Sequence, residues 1–195
     1  MSRTTRSFAL LVPLVLVAAP IGGIQPAVAQ LACVPLPDAQ IRGGPADLSY
    51  IGNTLHSHDA LEQTLQRQVR PGFGDQFNIN IKNDSTCADS FFVHGASSTM
   101  KFRISYWYGA LNVTADVVAG TFKTVDLAPG SSDYLMAFIY VKRGVRSGSW
   151  ITNWVSVTSS AGAGRLAALD VWDVVGARVL VNRHAGDFNS QFPIP

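Results

Sequence analysis

Groups that do chemistry are scarce in this sequence. Two cysteines and four histidines are all that 195 residues offer of those types. Charged side chains make up only 14% of the chain. No H-E-x-x-H, G-x-S-x-G or Walker loop occurs, so the motif-borne hydrolase and nucleotide chemistries have no foothold. A surplus of charge is missing too. Two of the 15 basic residues, Arg3 and Arg6, stand at the N-terminus, which leaves 13 to face 13 acidic ones. A balanced chain has no basic field to condense nucleic acid or hold an anionic lipid surface. After the first thirty residues there is no long apolar run, so no transmembrane anchor is expected once the leader is gone.

What is present starts with that leader. Arg3 and Arg6 precede the apolar run "FALLVPLVLVAAP", and Ala27 and Ala29 close an A-x-A exit. This pattern predicts a secretory signal over residues 1–29 and a chain that is secreted or associated with the cell surface. Cys33 and Cys87 then face an oxidising compartment, where a disulfide is the simplest outcome. A free or reactive thiol and a metal ligand are the alternatives. His94 is the nearest base in sequence, but no third group stands beside it to complete a nucleophile.

The remainder alternates with a period of two. "QFNINIKN" sets Phe77, Ile79 and Ile81 against Asn78, Asn80 and Lys82. "MKFRISYWYG" does the same with Phe102, Ile104, Tyr106 and Tyr108. "YLMAFIYV" is apolar on both parities, as a covered strand is. "TLHSHDALEQTLQRQV" reads as a loop to Ala60 and then a strand, although Leu61, Leu65 and Val69 also fit one helical face. "NVTADVVAGTFKTVDL" predicts one or two short strands around Gly120. Pro129-Gly130 suits the centre of a tight turn. "SAGAGRLAAL" reads as a small-residue loop and "LDVWDVVGARVLVNR" as a last strand. The expectation is an all-β chain: an immunoglobulin-like antiparallel β-sandwich of about 8–9 strands over residues 30–183, then a flexible tail over 184–195.

Few side chains stand out for function. "HSH" places His56 and His58 on one side of an extended segment, a pair that needs a third ligand to hold a metal. Asp84 and Asp89 flank the Cys87 turn, where turn capping accounts for them. Asp170 and Asp173 are a near pair with no cleft legible around them. Loop oxygens would also suit calcium. Asn83-Asp84-Ser85 and Asn112-Val113-Thr114 match the glycosylation acceptor pattern. The aromatic lead is Tyr106-Trp107-Tyr108, a surface for sugar or protein if Trp107 faces solvent. Trp150 and Trp154 add two large rings of one parity; for these tryptophans, Trp107 included, packing between the sheets is the favoured alternative.

A run of segments carries a resemblance. "LPDAQIR", "FNINIKNDSTCADSFFVHG", "LNVTADVVAGTFKTVDLAPGSS" and "DVWDVVGARV" occur in that order. They resemble a bacterial secreted or cell-surface immunoglobulin-like module of the CARDB/NEW3 kind, here in single copy. "NDSTCADSF" is similar to that family's N-D-G-x-x-x-D-S-F turn, with Ser85 in the glycine place, and "LAPGSS" to its L-A-P-G-x-S. The resemblance implies a spacer, stalk or adhesion unit with no catalytic residues.

The function expected is therefore a non-catalytic structural or adhesion module that mediates protein interaction at the cell surface. The alternative is carbohydrate binding through exposed aromatics such as Trp107. No catalytic residue, cofactor or metal is assigned. The partner is expected to be a protein or a cell-envelope polysaccharide, with self-association through an open strand edge as a further route. A hydrolase would need His56, His58 and Asp59 to converge in one cleft.

Overall fold

The computed structural model describes residues 33–44, 47–56, 58–161 and 172–185. The leader, the C-terminal tail from residue 186, and the "SAGAGRLAAL" loop beyond Ala161 lie outside these residues. So does Asp170.

Ten strands and one short helix are described: β1 (Pro37–Arg42), β2 (Thr64–Val69), β3 (Gly74–Asn83), β4 (Phe91–Gly95), β5 (Phe102–Tyr108), β6 (Leu111–Asn112), α1 (Thr114–Ala119), β7 (Phe122–Lys123), β8 (Ser132–Val141), β9 (Trp150–Ser159) and β10 (Trp172–Val181). They form two five-stranded sheets, ordered β1-β3-β8-β5-β6 and β2-β10-β9-β4-β7. This is the predicted all-β sandwich. Its inner faces carry the residues that the alternation marks, with Phe77, Ile79, Tyr106, Ile139, Val155 and Val179 among those removed from water. Each large apolar side chain so buried contributes about 1.5–3 kcal/mol.

Two features depart from the expectation. The pairing is not antiparallel throughout: β2 runs parallel to β10, with Thr64 opposite Gly176 and Val69 opposite Val181. The two strands come from opposite ends of the chain, so no hairpin dictates their direction. The second departure lies before Gly120, where a strand was expected and α1 forms instead. Val117 is buried, and its β-branched neighbours give the segment a strand-like composition. Gly120 ends the helix in the left-handed region at φ 70°, with its amide turned back onto the helix.

The turn after β3 is held by Asn83, which is fully buried. Its amide nitrogen donates to the carbonyls of Cys87 and Leu127, both at 2.8 Å, and its Oδ1 accepts from the Ser85 amide at 3.0 Å. Burial takes Asn83 out of play as a glycan acceptor, whereas Asn112 is exposed. Pro129 and Gly130 form the predicted turn: the Ser131 amide donates to Ala128, 2.9 Å, with Gly130 at φ 76°. The Cys33–Cys87 disulfide forms, Cα to Cα 5.8 Å, and ties the chain just before β1 to the β3–β4 turn. Both cysteines are thereby spoken for.

The outer edge of β1 is closed. Pro37 has no amide to offer. The Ala39 amide donates to Asp173 Oδ2 of the other sheet, 2.7 Å. Ile41 exchanges both backbone hydrogen bonds with Ile51, at 3.0 and 2.9 Å. Of the other edge strands, β6 and β7 are two residues each, while β2 has six. Closing or shortening an edge in these ways keeps it from recruiting another strand.

Candidate functional site

Strand alternation decides where the aromatics go, and it divides Tyr106-Trp107-Tyr108. Tyr106 is buried, and its hydroxyl lies 2.8 Å from Asn153 Oδ1 and 3.0 Å from the Ala96 carbonyl, so its one proton is shared between two acceptors. Burial pushes the phenol well above its ordinary pKa. Tyr106 is therefore a core residue and not a ligand contact. Tyr108 shares its parity and packs against Phe122, ring centroids 5.5 Å apart. Trp107 lies half-buried on the opposite face, across from Met136 and Asn112, with its indole nitrogen donating to Ser105 at 3.2 Å. The three rings do not make one surface.

Trp150 and Trp154 face outward rather than filling the space between the sheets. On β9 the buried row is Asn153, Val155 and Val157, so the other parity must face out. Trp150 is 58% exposed and Trp154 47%. Trp154 lies across Gly176 of β10; a Cβ there would come within 2.7 Å of the indole. The Arg178 guanidinium sits 4.9 Å from the Trp150 ring centroid. Register puts Phe92, with Lys123 Nζ 5.6 Å from its ring centroid, on the same outer face. The result is a partly apolar face with two exposed indoles and cations beside its rings.

A second group forms where the sandwich closes beside β1. After Ile51 the chain leaves the first sheet and crosses to β2 in the second. That crossover lays His56 and Gln63 beside Asp38 of β1 and Asp173 of β10. Asp38, His56 and Asp173 each turn one ligand-capable atom to the others, all within 4.8 Å. Asp38 and Asp173 are fully buried. Asp38 accepts from Gln40 Nε2 at 2.6 Å and the Thr54 amide at 3.2 Å. Asp173 accepts from the Ala39 amide at 2.7 Å, the Val174 amide at 2.8 Å and Gln63 Nε2 at 3.2 Å. Burial holds the Asp38 carboxyl above the usual carboxylate range. The Gln40 and Thr54 hydrogen bonds and His56 oppose that shift, while Asp84 adds to it. His56 Nδ1 lies 3.0 Å from the Pro37 carbonyl. A carbonyl can only accept, so Nδ1 carries a proton and donates it.

His56 also lines an open depression of about 590 Å³ with Thr54, Leu55, His58, Asp59, Leu61 and Glu62. The three side chains named for a hydrolase thus line one depression. Asp59 Oδ1, however, accepts the Leu61 amide at 3.1 Å as part of its own turn. His94 and His184 lie elsewhere: His94 on β4 against Gly120, and His184 in the exposed turn after β10. Asp38 and Gln63 were not singled out in the sequence. Neither belongs to a motif, and only the crossover brings them to His56.

No protein-family model and no curated protein matches the chain. A FixG-related protein from Vibrio parahaemolyticus is 10% identical with a TM-score of 0.38, over 75% of this chain and 96% of that one. A family 123 glycoside hydrolase from Clostridium perfringens is 12% identical with a TM-score of 0.39, over 77% of this chain and 28% of that one. The CARDB domain of a Pyrococcus furiosus protein is 9% identical with a TM-score of 0.33, over 76% of this chain and 94% of that one. The β-sandwich rests on the two sheets themselves, and membership in one particular module family does not follow from likeness at this level.

Proposed function

We propose that the chain is an exported, non-catalytic β-sandwich module of the CARDB/NEW3 kind that binds a protein partner at the cell surface, and that it does so through the outer face of the β2-β10-β9-β4-β7 sheet. The observation that carries this reading is the exposure of Trp150 and Trp154 on one strand face, with Arg178 against the first of them. Tryptophan and arginine supply much of the energy of protein interfaces, because each offers a large, stiff contact area with a polar handle. The pair is already ordered, Trp154 by its seat over Gly176, so less entropy is lost when a partner covers it. A sugar site centred on Trp107 lacks such a surface, since Tyr106 and Tyr108 turn away from it.

The test compares the wild-type mature chain with a Trp150→Ala/Trp154→Ala variant. Each is immobilised, exposed to the solubilised native envelope fraction, and run in parallel on a panel of envelope polysaccharides. The expected result is a protein retained by the wild type and weakened about tenfold or more by the double variant, whose far-UV spectrum stays that of a β protein. Equal retention by both chains overturns the reading. So does a polysaccharide, rather than a protein, whose binding is lost with the indoles.

A further inference from the structure

We propose that Asp38, His56 and Asp173 form a binding site for a divalent first-row transition ion, Zn2+ foremost, with Gln63 Oε1 as a fourth donor. Asp173 shares β10 with Gly176 and Arg178 of the tryptophan face but is fully buried, and the site stands or falls independently of the function proposed above.

The donor set comes first. Two carboxylates and an imidazole suit zinc and its neighbours better than calcium or magnesium, which prefer oxygen alone. Neighbouring donors of a tetrahedral zinc site stand about 3.3–3.4 Å apart, given metal–ligand distances of about 2.0–2.1 Å. Donor atoms within 4.8 Å of one another would have to close by at most about 1.5 Å to reach that spacing.

An independent sign is Gln63. It is fully buried, its Nε2 donates to Asp173 Oδ1 and to the Leu55 carbonyl, and its Oε1 has no hydrogen-bond partner. An amide oxygen held bare in the interior is costly unless something electropositive meets it. Here the amide that bears it is fastened to one of the two carboxylates of the cluster.

The surroundings are those of a metal site. Metal-bound imidazoles commonly give their other N–H to a backbone carbonyl, and His56 gives Nδ1–H to Pro37. The carboxylates are oriented by the amides of Ala39, Thr54 and Val174 and by the side chain of Gln40. A route for the ion exists, because half-buried His56 also lines the open depression. Bound there, the ion would join β1, the 52–63 crossover and β10 at one point.

Purified mature protein is stripped with EDTA, then titrated calorimetrically and melted with Zn2+, Co2+, Mn2+ and Ca2+ in turn. One Zn2+ or Co2+ is expected per chain. The melting temperature should rise by roughly 5–10 °C at a hundredfold excess over Kd. Co2+ should bring visible absorption bands of a low-coordinate N/O site, a signature that folding alone does not produce. Asp38→Asn should abolish binding. His56→Gln, at a part-exposed position that should tolerate the change, should weaken it more than about tenfold and remove the bands. His58→Ala should leave both intact. The proposal is overturned by binding of neither Zn2+ nor Co2+, by a response to Ca2+ alone, or by binding that survives His56→Gln and fails in His58→Ala.

Discussion

Asp75 shows what burial does to a single carboxyl. It is buried on β3, with Arg67 Nε 3.8 Å from its Oδ2 and the Gln76 amide 2.8 Å from its Oδ1. Desolvation outweighs both contacts and raises its pKa above the ordinary 3.8. The folded state therefore takes up this proton before the unfolded state does. The cost of the buried charge is absent below the unfolded pKa and grows as pH rises through the folded one. Asp75→Asn should thus gain melting temperature relative to wild type between about pH 4 and pH 7. Paired thermal melts across that range check the sign; a difference that is flat, or that shrinks with rising pH, would mean Arg67 governs the site. Individual side chains were unevenly legible in the sequence. The parity of Trp150 and Trp154 could be read, but not the direction in which that row points. A row of tryptophans and a row of valines are both apolar, and only the partner sheet decides between them.

At the scale of elements, β4 and β5 sit in different sheets and meet where Gly95 faces Tyr106. A Cβ on Gly95 would stand 2.3 Å from the tyrosine oxygen. The Gly95→Ala change must therefore displace the hydroxyl from Asn153 and Ala96, or push the sheets apart. Overpacking of this kind costs about 1–3 kcal/mol. Urea titration of Gly95→Ala measures it, and a loss under about 0.5 kcal/mol would show that the tyrosine end yields freely. The long strands were legible because β3, β5, β8 and β9 alternate over seven to ten residues. Helix α1 was not, because Val117 and Val118 favour strand in isolation while tertiary packing and the Gly120 stop favour one helical turn. The parallel partnership of β2 and β10 left no local trace either, since a strand's own pattern does not name its neighbour.

For the whole molecule, the Cys33–Cys87 bridge closes a loop of 54 positions that contains β1, β2 and β3. Loop-closure entropy of that size is worth roughly 3–4 kcal/mol. A Cys33→Ser/Cys87→Ser chain should lose about that much, read as the shift in ΔG from denaturant unfolding. A loss under about 1 kcal/mol would place the stability of the amino end in the β1–β3 ladder alone. The candidate ion site was only partly legible for a related reason. His56 was noticed, but its partners come from β1 and β10, whose residues Ala39 and Asp173 are 134 positions apart. Convergence over such a distance belongs to the fold and to no segment of it.

The carboxylate that reaches from β10 to the Ala39 amide has one more consequence. A foreign segment trying to zip onto β1 would have to evict Asp173, unpair Ile51 and find no donor at Pro37. Strand donation is barred on that flank, so copies that come together must meet through other surfaces, the outer edge of β2 among them.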